Sequence, residues 1–340
     1  MTNQQFTTLL DSTPPNLSIQ ILDTLIVMRN KLSEYQRIAL SYSGGSDSDI
    51  MLDIVELVKP EDSGEVSYVF FDTGLEWYAT LHHISKAEQK YNINIERRTA
   101  KVTIPVACAR HGVPFLTKHV SDMAGRLQRH NFDWADTSEG ATVEKYGKCK
   151  SALDWFFDRK MSRKEGGKSM FSIRKHLLLK EFMSTHPPGF AISDKCCDYA
   201  KKNVAKDFDR MFRPDLKIIG MRQAEGGRRV GSRNSCMSLP TATKRYAGEP
   251  SKAAQYHPLW FWTDADKEAY KAWRNIRYSD CYEVWGFKRT GCVGCPCASA
   301  SVEQLEQARQ CEPNKVKAAY AVFGKAYEYR EEYNRFKKLT

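Results

Sequence analysis

A chain of 340 residues can bury a full core, as one elaborated domain or as two. Its 41% apolar and 27% charged content is that of a globular protein, and no apolar run approaches the length of a membrane span. The net charge of +11, from 52 Lys and Arg against 41 Asp and Glu, favours polyanionic partners such as nucleotides or nucleic acid.

The chain starts Met1-Thr2-Asn3-Gln4-Gln5, with neither a basic start nor an apolar signal core, so a cytoplasmic location with no membrane partner is expected. Ile19, Ile21, Leu22, Leu25, Ile26, Met28 and Leu32 recur at helical spacing and predict a helix over residues 18–33. Arg37-Ile38-Ala39-Leu40 reads as a short buried strand, and residues 50–58 as a helix. Between them lies Ser41-Tyr42-Ser43-Gly44-Gly45-Ser46-Asp47-Ser48-Asp49. Gly44 and Gly45 let the backbone approach a ligand, because no Cβ intervenes. Free N–H groups of the first helical turn attract anions, and Ser43, Ser46 and Ser48 add hydroxyl donors. Such a loop suits phosphate or pyrophosphate; the competing reading is a Ser-capped strand–helix turn. The Gly-Lys-Ser/Thr ending of a Walker loop is missing.

A second strand is expected at residues 66–71, ending in Asp72-Thr73-Gly74-Leu75-Glu76. A helix over residues 77–91 follows and carries His82 and His83, read as surface histidines. A third strand is expected at residues 93–96 and a helix starting near Ser121. Strands alternating with helices predict an α/β fold with a Rossmann-like parallel sheet, its ligands beyond the carboxyl ends of the strands.

From residue 131 to 187 the β signal disappears. Lys150, Arg159, Lys160, Arg163, Lys164, Lys168, Arg174, Lys175 and Lys180 crowd this stretch, with Trp155, Phe156, Phe157 and Phe171 among them. Aromatics among basic residues can bind single-stranded nucleic acid. The reading preferred here is a basic helical insertion with a solvated charged face and a core stripe from Leu153, Phe156 and Phe157. After Pro187-Pro188, residues 190–193 look strand-like, a helix runs from Asp194 to about Phe212, and residues 216–222 are the last clear strand. Residues 223–235 are rich in Gly and Arg and read as a mobile loop. A nucleotide-binding domain is therefore placed at residues 1–246, with its insertion at 131–187. A Cys-rich and helical module is placed at 247–340, in which Trp260 and Trp262 are expected in the core.

Ten cysteines without an export signal argue for metal, cluster or redox use rather than a disulfide framework. Cys196-Cys197 opens a helix, and Cys292-Val293-Gly294-Cys295 lies far downstream. Two such pairs can form a four-thiolate site for an iron–sulfur cluster or a tetrahedral zinc. Buried structural thiols are the bland alternative, and Cys236 or Cys281 could replace one of the adjacent pair.

The Ser43–Ser48 string resembles the Ser-Gly-Gly-x-Asp-Ser pyrophosphate loop of the adenine-nucleotide α-hydrolase superfamily. The Cys-Cys and Cys-x-x-Cys pairs resemble the signature of iron–sulfur sulfonucleotide reductases. Phe71-Asp72-Thr73-Gly74-Leu75-Glu76, Ile192-Ser193-Asp194-Lys195, Gly220-Met221-Arg222, Pro258-Leu259 with Trp262-Thr263, and Arg289-Thr290-Gly291 are similar to stretches of the broader phosphoadenosine phosphosulfate (PAPS) reductase family. The resemblance spans residues 36 to 297. It implies a four-iron four-sulfur cluster on Cys196, Cys197, Cys292 and Cys295. Two departures separate this chain from the reductases. It ends Lys337-Lys338-Leu339-Thr340, without the Glu-Cys-Gly-Leu-His-type tail that carries their nucleophile, and its phosphate loop is intact. Both point to the ATP-using branch, which includes the sulfur-transfer proteins of DNA phosphorothioation.

The resemblance implies ATP, with Mg²⁺, over Ser43, Gly44, Gly45, Ser46, Asp47 and Ser48. Asp47 would hold the metal or the loop, and Asp72 and Thr73 would lie near the ribose or α-phosphate. Arg222, with Arg228 or Arg229, would clamp phosphate oxygens. Adenylation of an acceptor with pyrophosphate release, followed by sulfur transfer, is the expected activity. Cys236 is the candidate sulfur carrier, served by a sulfur or electron donor protein. The alternatives are a reductase forming sulfite from PAPS or adenosine phosphosulfate, with another cysteine replacing the tail nucleophile, and a non-enzymatic nucleic-acid-binding module.

Overall fold

The computed structural model describes residues 1–159, 171–225, 235–239 and 253–339. Among these, the strands are β1 Arg37–Ser41, β2 Glu65–Asp72, β3 Ile95–Thr99, β4 Leu216–Ile219, β5 Met237–Ser238 and β6 Ala254–Tyr256. They form one sheet in the order β3-β2-β1-β4-β6-β5. β1 runs parallel to β2 and to β4, and β4 parallel to β6; only the short edge strand β5 is shown antiparallel, to β6. Ile38, Ala39 and Leu40 are consecutive and buried, as a strand covered on both faces requires. The chain leaves β1 for β2 and β3 on one side and returns to β4 on the other. The carboxyl end of β1 is therefore a switch point, where sheets of this type open a ligand crevice. The fold is α/β with a mostly parallel sheet.

Two groups of residues each form a compact unit. The first comprises Met1–Asp72, Tyr78–Arg98 and Val204–Gly291. Its core gathers Leu25, Met28 and Leu32 of the helix Ile19–Glu34 with Ile50, Ile54 and Val58 of the helix Ser46–Val58, all fully buried. Each such side chain contributes about 1.5–3 kcal/mol by leaving water. Trp262 and Tyr270 belong to this core, and Trp260 is also buried, as the sequence indicates.

The second unit comprises Thr73–Trp77, Thr99–Asn203 and Cys292–Thr340. No strand is described between residues 131 and 187; helices Val143–Tyr146, Lys150–Phe156 and Leu179–Thr185 lie there. Leu153, Trp155 and Phe156 are fully buried, and Phe157 packs against their cluster. The stacking reading therefore fails for Trp155 and Phe156, which are interior. Lys160, Arg163, Lys164 and Lys168 lie outside the described residues. The final helix Pro313–Leu339 joins the same core: Tyr329 and Tyr333 meet the Phe182 ring at 4.8 and 5.2 Å.

Local differences from expectation have local causes. The stretch 190–193 is no strand: it makes one bridge, Ile192 to Val113. The Gln128 side chain takes the place of a ladder there, accepting from the Ile192 N–H at 2.7 Å and donating to the Phe190 carbonyl at 2.8 Å. The third strand lies two residues later than expected at its start. An unforeseen helix Asn3–Asp11 begins with a Thr2–Gln5 capping box. No helix among the described residues is long and apolar enough to cross a membrane.

Candidate functional site

Each unit holds one part of the chemistry the sequence singled out. In the first unit, the chain leaves β1 and turns through Gly44 at φ +66. A Cβ there would also stand 2.9 Å from Thr80 Cγ2, so only glycine fits. The Ser48 hydroxyl faces inward. Its oxygen accepts the Ser43 N–H at 3.2 Å and the Gly45 N–H at 3.0 Å, while its O–H donates to the Gly45 carbonyl at 2.7 Å. Ser43 Oγ lies 3.0 Å from the same oxygen. Ser48, expected among the ligand donors, thus holds the loop's shape.

Asp47 follows in the first turn of the helix. Its Oδ1 lies 2.5 Å from Lys267 Nζ and its Oδ2 accepts from Arg222 Nε at 3.2 Å. Lys267 also donates to Ser46 Oγ at 2.9 Å, and Arg222 to Asp264 Oδ1 at 2.8 Å. Burial pushes the Asp47 carboxyl up, but Lys267 and Arg222 outweigh it and hold it below the usual carboxylate range. Arg222 follows β4 and Asp47 follows β1, so neighbouring parallel strands deliver the pair. Beside Gly45, the Tyr282 hydroxyl lies 3.0 Å from Thr290 Oγ1. A Cβ on Gly45 would reach 3.3 Å from that hydroxyl and 3.4 Å from Thr290 Oγ1. Two cations and two hydroxyls therefore converge on a loop at a helix N-terminus, an arrangement suited to polyphosphate. Asp72 closes β2 in the same unit.

Thr73 belongs to the second unit, where it is fully buried. Its hydroxyl donates to Glu76 Oε1 at 2.6 Å and lies 3.7 Å from Cys292 Sγ. Cys196 and Cys197 stand in the short helix Lys195–Cys197, followed by a π turn Asp198–Lys202. Lys201 on that turn faces Cys292, and its pKa is raised by attraction to that sulfur and to Glu76. Val293 N–H donates to the Leu75 carbonyl at 2.9 Å, and Gly294 sits at φ +64 under the Tyr327 hydroxyl, which donates to its carbonyl. This fixes the turn carrying Cys292 and Cys295. Cys196 is hydrogen-bonded to Cys108, and Cys295 to Cys297. Burial pushes the Cys292 thiol up to about 12, while the Cys297 hydrogen bond brings Cys295 down to about 7.

Four thiols distant in sequence, Cys196, Cys197, Cys292 and Cys295, thus lie within electrostatic reach of one another. Soft thiolates suit zinc or an iron–sulfur cluster. Among the described residues no three His, Cys, Asp or Glu side chains are spaced to hold one metal ion. All ten cysteines are unbridged. Cys281 is buried in the first unit, 3.8 Å from Thr80 Oγ1. Cys236 is half-buried beside β5, its carbonyl accepting from His257 N–H at 2.7 Å. Arg228 and Arg229 lie outside the described residues.

Residues 37–125, from β1 through the loop and β3, match the phosphoadenosine phosphosulfate reductase domain. That match covers about a quarter of the chain. No curated protein matches it in sequence. Among solved structures, PAPS reductase from Candida auris in a phosphate complex is 12% identical, covering 86% of this chain and 95% of that one, at a TM-score of 0.42. FMN adenylyltransferase from Candida glabrata with ATP is 12% identical, over 85% of this chain and 68% of that one, at 0.42. The U34-tRNA thiolase NcsA from Methanococcus maripaludis, with its [4Fe-4S] cluster, is 12% identical, over 93% and 79%, at 0.38.

Sequence reading missed several participants. Lys267 stands 221 residues from Ser46, beyond any local motif. His83, read as a surface histidine, lies 2.9 Å from Asp49 Oδ1, which also accepts from the Tyr42 hydroxyl at 2.5 Å. Lys201 and Glu76 carried no pattern that marks them as neighbours of thiols. Cys108 and Cys297 stood outside the recognised pairs.

Proposed function

We propose that this chain uses ATP and Mg²⁺ to adenylate an acceptor, releases pyrophosphate, and passes the activated acceptor to sulfur. The observation that carries this reading is the intact Ser43–Ser48 loop with Lys267 and Arg222 converging on it. The triphosphate lies over the loop. Lys267 and Arg222 turn toward its oxygens, and Asp47 keeps both cations in place between turnovers. An acceptor oxygen attacks the α-phosphorus, its proton passes to solvent, and the α–β phosphoanhydride bond breaks. A sulfide-level sulfur then attacks the atom that bears the adenylate, and AMP leaves with the oxygen, with no net oxidation or reduction. Cys196, Cys197, Cys292 and Cys295 would hold a four-iron four-sulfur cluster, which supplies iron-bound sulfur chemistry when present. Lys201 and Thr73 orient the Cys292 thiol. Cys236 is the proposed sulfur carrier: a donor protein loads it as a persulfide, and two equivalents of a thiol reductant release the outer sulfur as sulfide, leaving a disulfide of the reductant; nucleic acid is the proposed acceptor class because the chain carries a net charge of +11.

Calorimetric titration of anaerobic protein with ATP and Mg²⁺, and separately with PAPS, tests the nucleotide. ATP should bind, and Gly45→Val should weaken it at least tenfold by filling the space under Tyr282 and Thr290. PAPS binding without ATP binding would replace this reading with a sulfonucleotide reductase.

A further inference from the structure

Three carboxylates of the loop helix Ser46–Val58 differ in what they face. Asp47 pairs with Lys267 and Arg222, and Asp53 with Arg274 at 2.9 Å. Asp49 is 5% exposed and has no lysine or arginine within 4.0 Å among the described residues. Its ion-pair partner there is His83, whose side chain is 12% exposed. Asp49 Oδ1 accepts the Tyr42 hydroxyl at 2.5 Å, so the imidazole 2.9 Å away donates to it through Nε2. A proton on Nε2 leaves Nδ1 as the basic nitrogen. Nδ1 makes no hydrogen bond among the described residues and, unlike Asp49 Oδ2, is not sealed from solvent. A buried carboxylate with no fixed cation favours an imidazolium forming beside it, as in the carboxylate–histidine pairs that serve as general bases.

His83 lines a cavity of about 230 Å³ within the first unit, far above the ~10–15 Å³ that one water needs. The cavity adjoins the phosphate loop. Tyr278 lines it too, and Lys267 Nζ stands 5.9 Å from the centroid of the Tyr278 ring. That same ammonium reaches Asp47 and Ser46. The helix Tyr78–Tyr91, which carries His83, also closes on the loop, since Thr80 is what a Cβ at Gly44 would meet. The other ionisable groups around the cavity are His82, Lys86, Lys90 and Tyr91 on the His83 helix, and Arg277, Tyr278 and Asp280 opposite.

We propose that His83 is the general base of the adenylation and that this cavity receives the acceptor's O–H group, an inference that rests on the adenylation reading. The proton passes to His83 Nδ1 as the acceptor oxygen bonds to the α-phosphorus. The α–β phosphoanhydride bond breaks, pyrophosphate leaves, and the imidazolium gives its proton to solvent. Asp49 is the positioning residue, fixing the tautomer and stabilising the imidazolium.

The test follows pyrophosphate release from ATP, Mg²⁺ and sulfide with total cellular RNA, and separately with sheared genomic DNA, while calorimetry reads ATP affinity. His83→Gln retains a donor toward Asp49. It should slow release about a hundredfold or more, with ATP affinity within about twofold of wild type. The fall in rate that wild type shows from about pH 8 to about pH 5 should disappear in this variant. Long-range ¹H–¹⁵N NMR of wild type near pH 8 should find His83 protonated at Nε2 and bare at Nδ1, a preference that Asp49→Asn should lose. A wild-type rate in His83→Gln, an ATP affinity that falls as far as the rate, or a His83 protonated at Nδ1 in wild type would each overturn this inference and leave the adenylation reading standing. No pyrophosphate from wild type with either acceptor would remove that reading, and this inference with it.

Discussion

Asp47 holds two cations in place beside the Ser43–Ser48 loop. It sits between Lys267 and Arg222 at the helix N-terminus, where its charge also suits the helix dipole. Removing one partner from such a buried group leaves cations uncompensated, so Asp47→Asn should lower unfolding free energy in urea at pH 7 by about 3 kcal/mol. The sign of the pH dependence follows from the depressed folded-state pKa. The stabilisation is complete above the unfolded carboxyl's value of about 3.9 and is lost as pH falls through the folded value. The difference between wild type and variant should therefore narrow toward pH 3; an equal difference at pH 7 and pH 3 would contradict the ion-pair account. The loop was legible because glycine and serine at fixed offsets in a strand–helix context encode a backbone shape. Lys267 was not legible, since nothing local distinguishes it from a solvated lysine on the helix Asp264–Arg274.

Among elements, the turn from Cys292 to Cys295 is tightly specified. A Cβ on Gly294 would stand 2.4 Å from the Tyr327 hydroxyl and 2.8 Å from Ala319 Cβ, at a positive φ besides. Gly294→Ala should cost about 2–3 kcal/mol of stability through overpacking and strain. It should also lower the iron content of anaerobically purified protein; full iron loading in this variant would argue against the cluster assignment. The helix from Asp194 was readable from its apolar spacing, but the π turn Asp198–Lys202 within it was not. One inserted residue changes which side chains face Cys292, and periodicity over so short a stretch cannot register it. β5 and β6 escaped notice for a related reason, having two and three residues each. Their place is set by the edge that β4 offers, not by their own pattern.

At the scale of the molecule, strand–helix alternation was enough to foresee a parallel sheet with the phosphate loop beyond a strand end. The grouping of chain segments was less accessible. Residues 99–203 and 292–340 share one core, in which Phe182, Tyr329 and Tyr333 meet. Aromatic residues so far apart in sequence show no joint periodicity, and the basic side chains between them read as the solvated face of a separate insertion. The pairs Cys196-Cys197 and Cys292 with Cys295 stood out in the sequence because thiol spacing is itself a chemical signature; their sharing of one cluster is a proposal.

The central claim is adenylation at an intact phosphate loop, and product analysis tests it most directly. Anaerobic protein would be incubated with ATP, Mg²⁺, nucleic acid and sulfide, and in parallel with PAPS and a thiol reductant, then assayed for AMP, pyrophosphate and sulfite. The account predicts AMP and pyrophosphate in equal amounts from the first mixture and no sulfite from the second. Sulfite from PAPS, with ATP left intact, would contradict it.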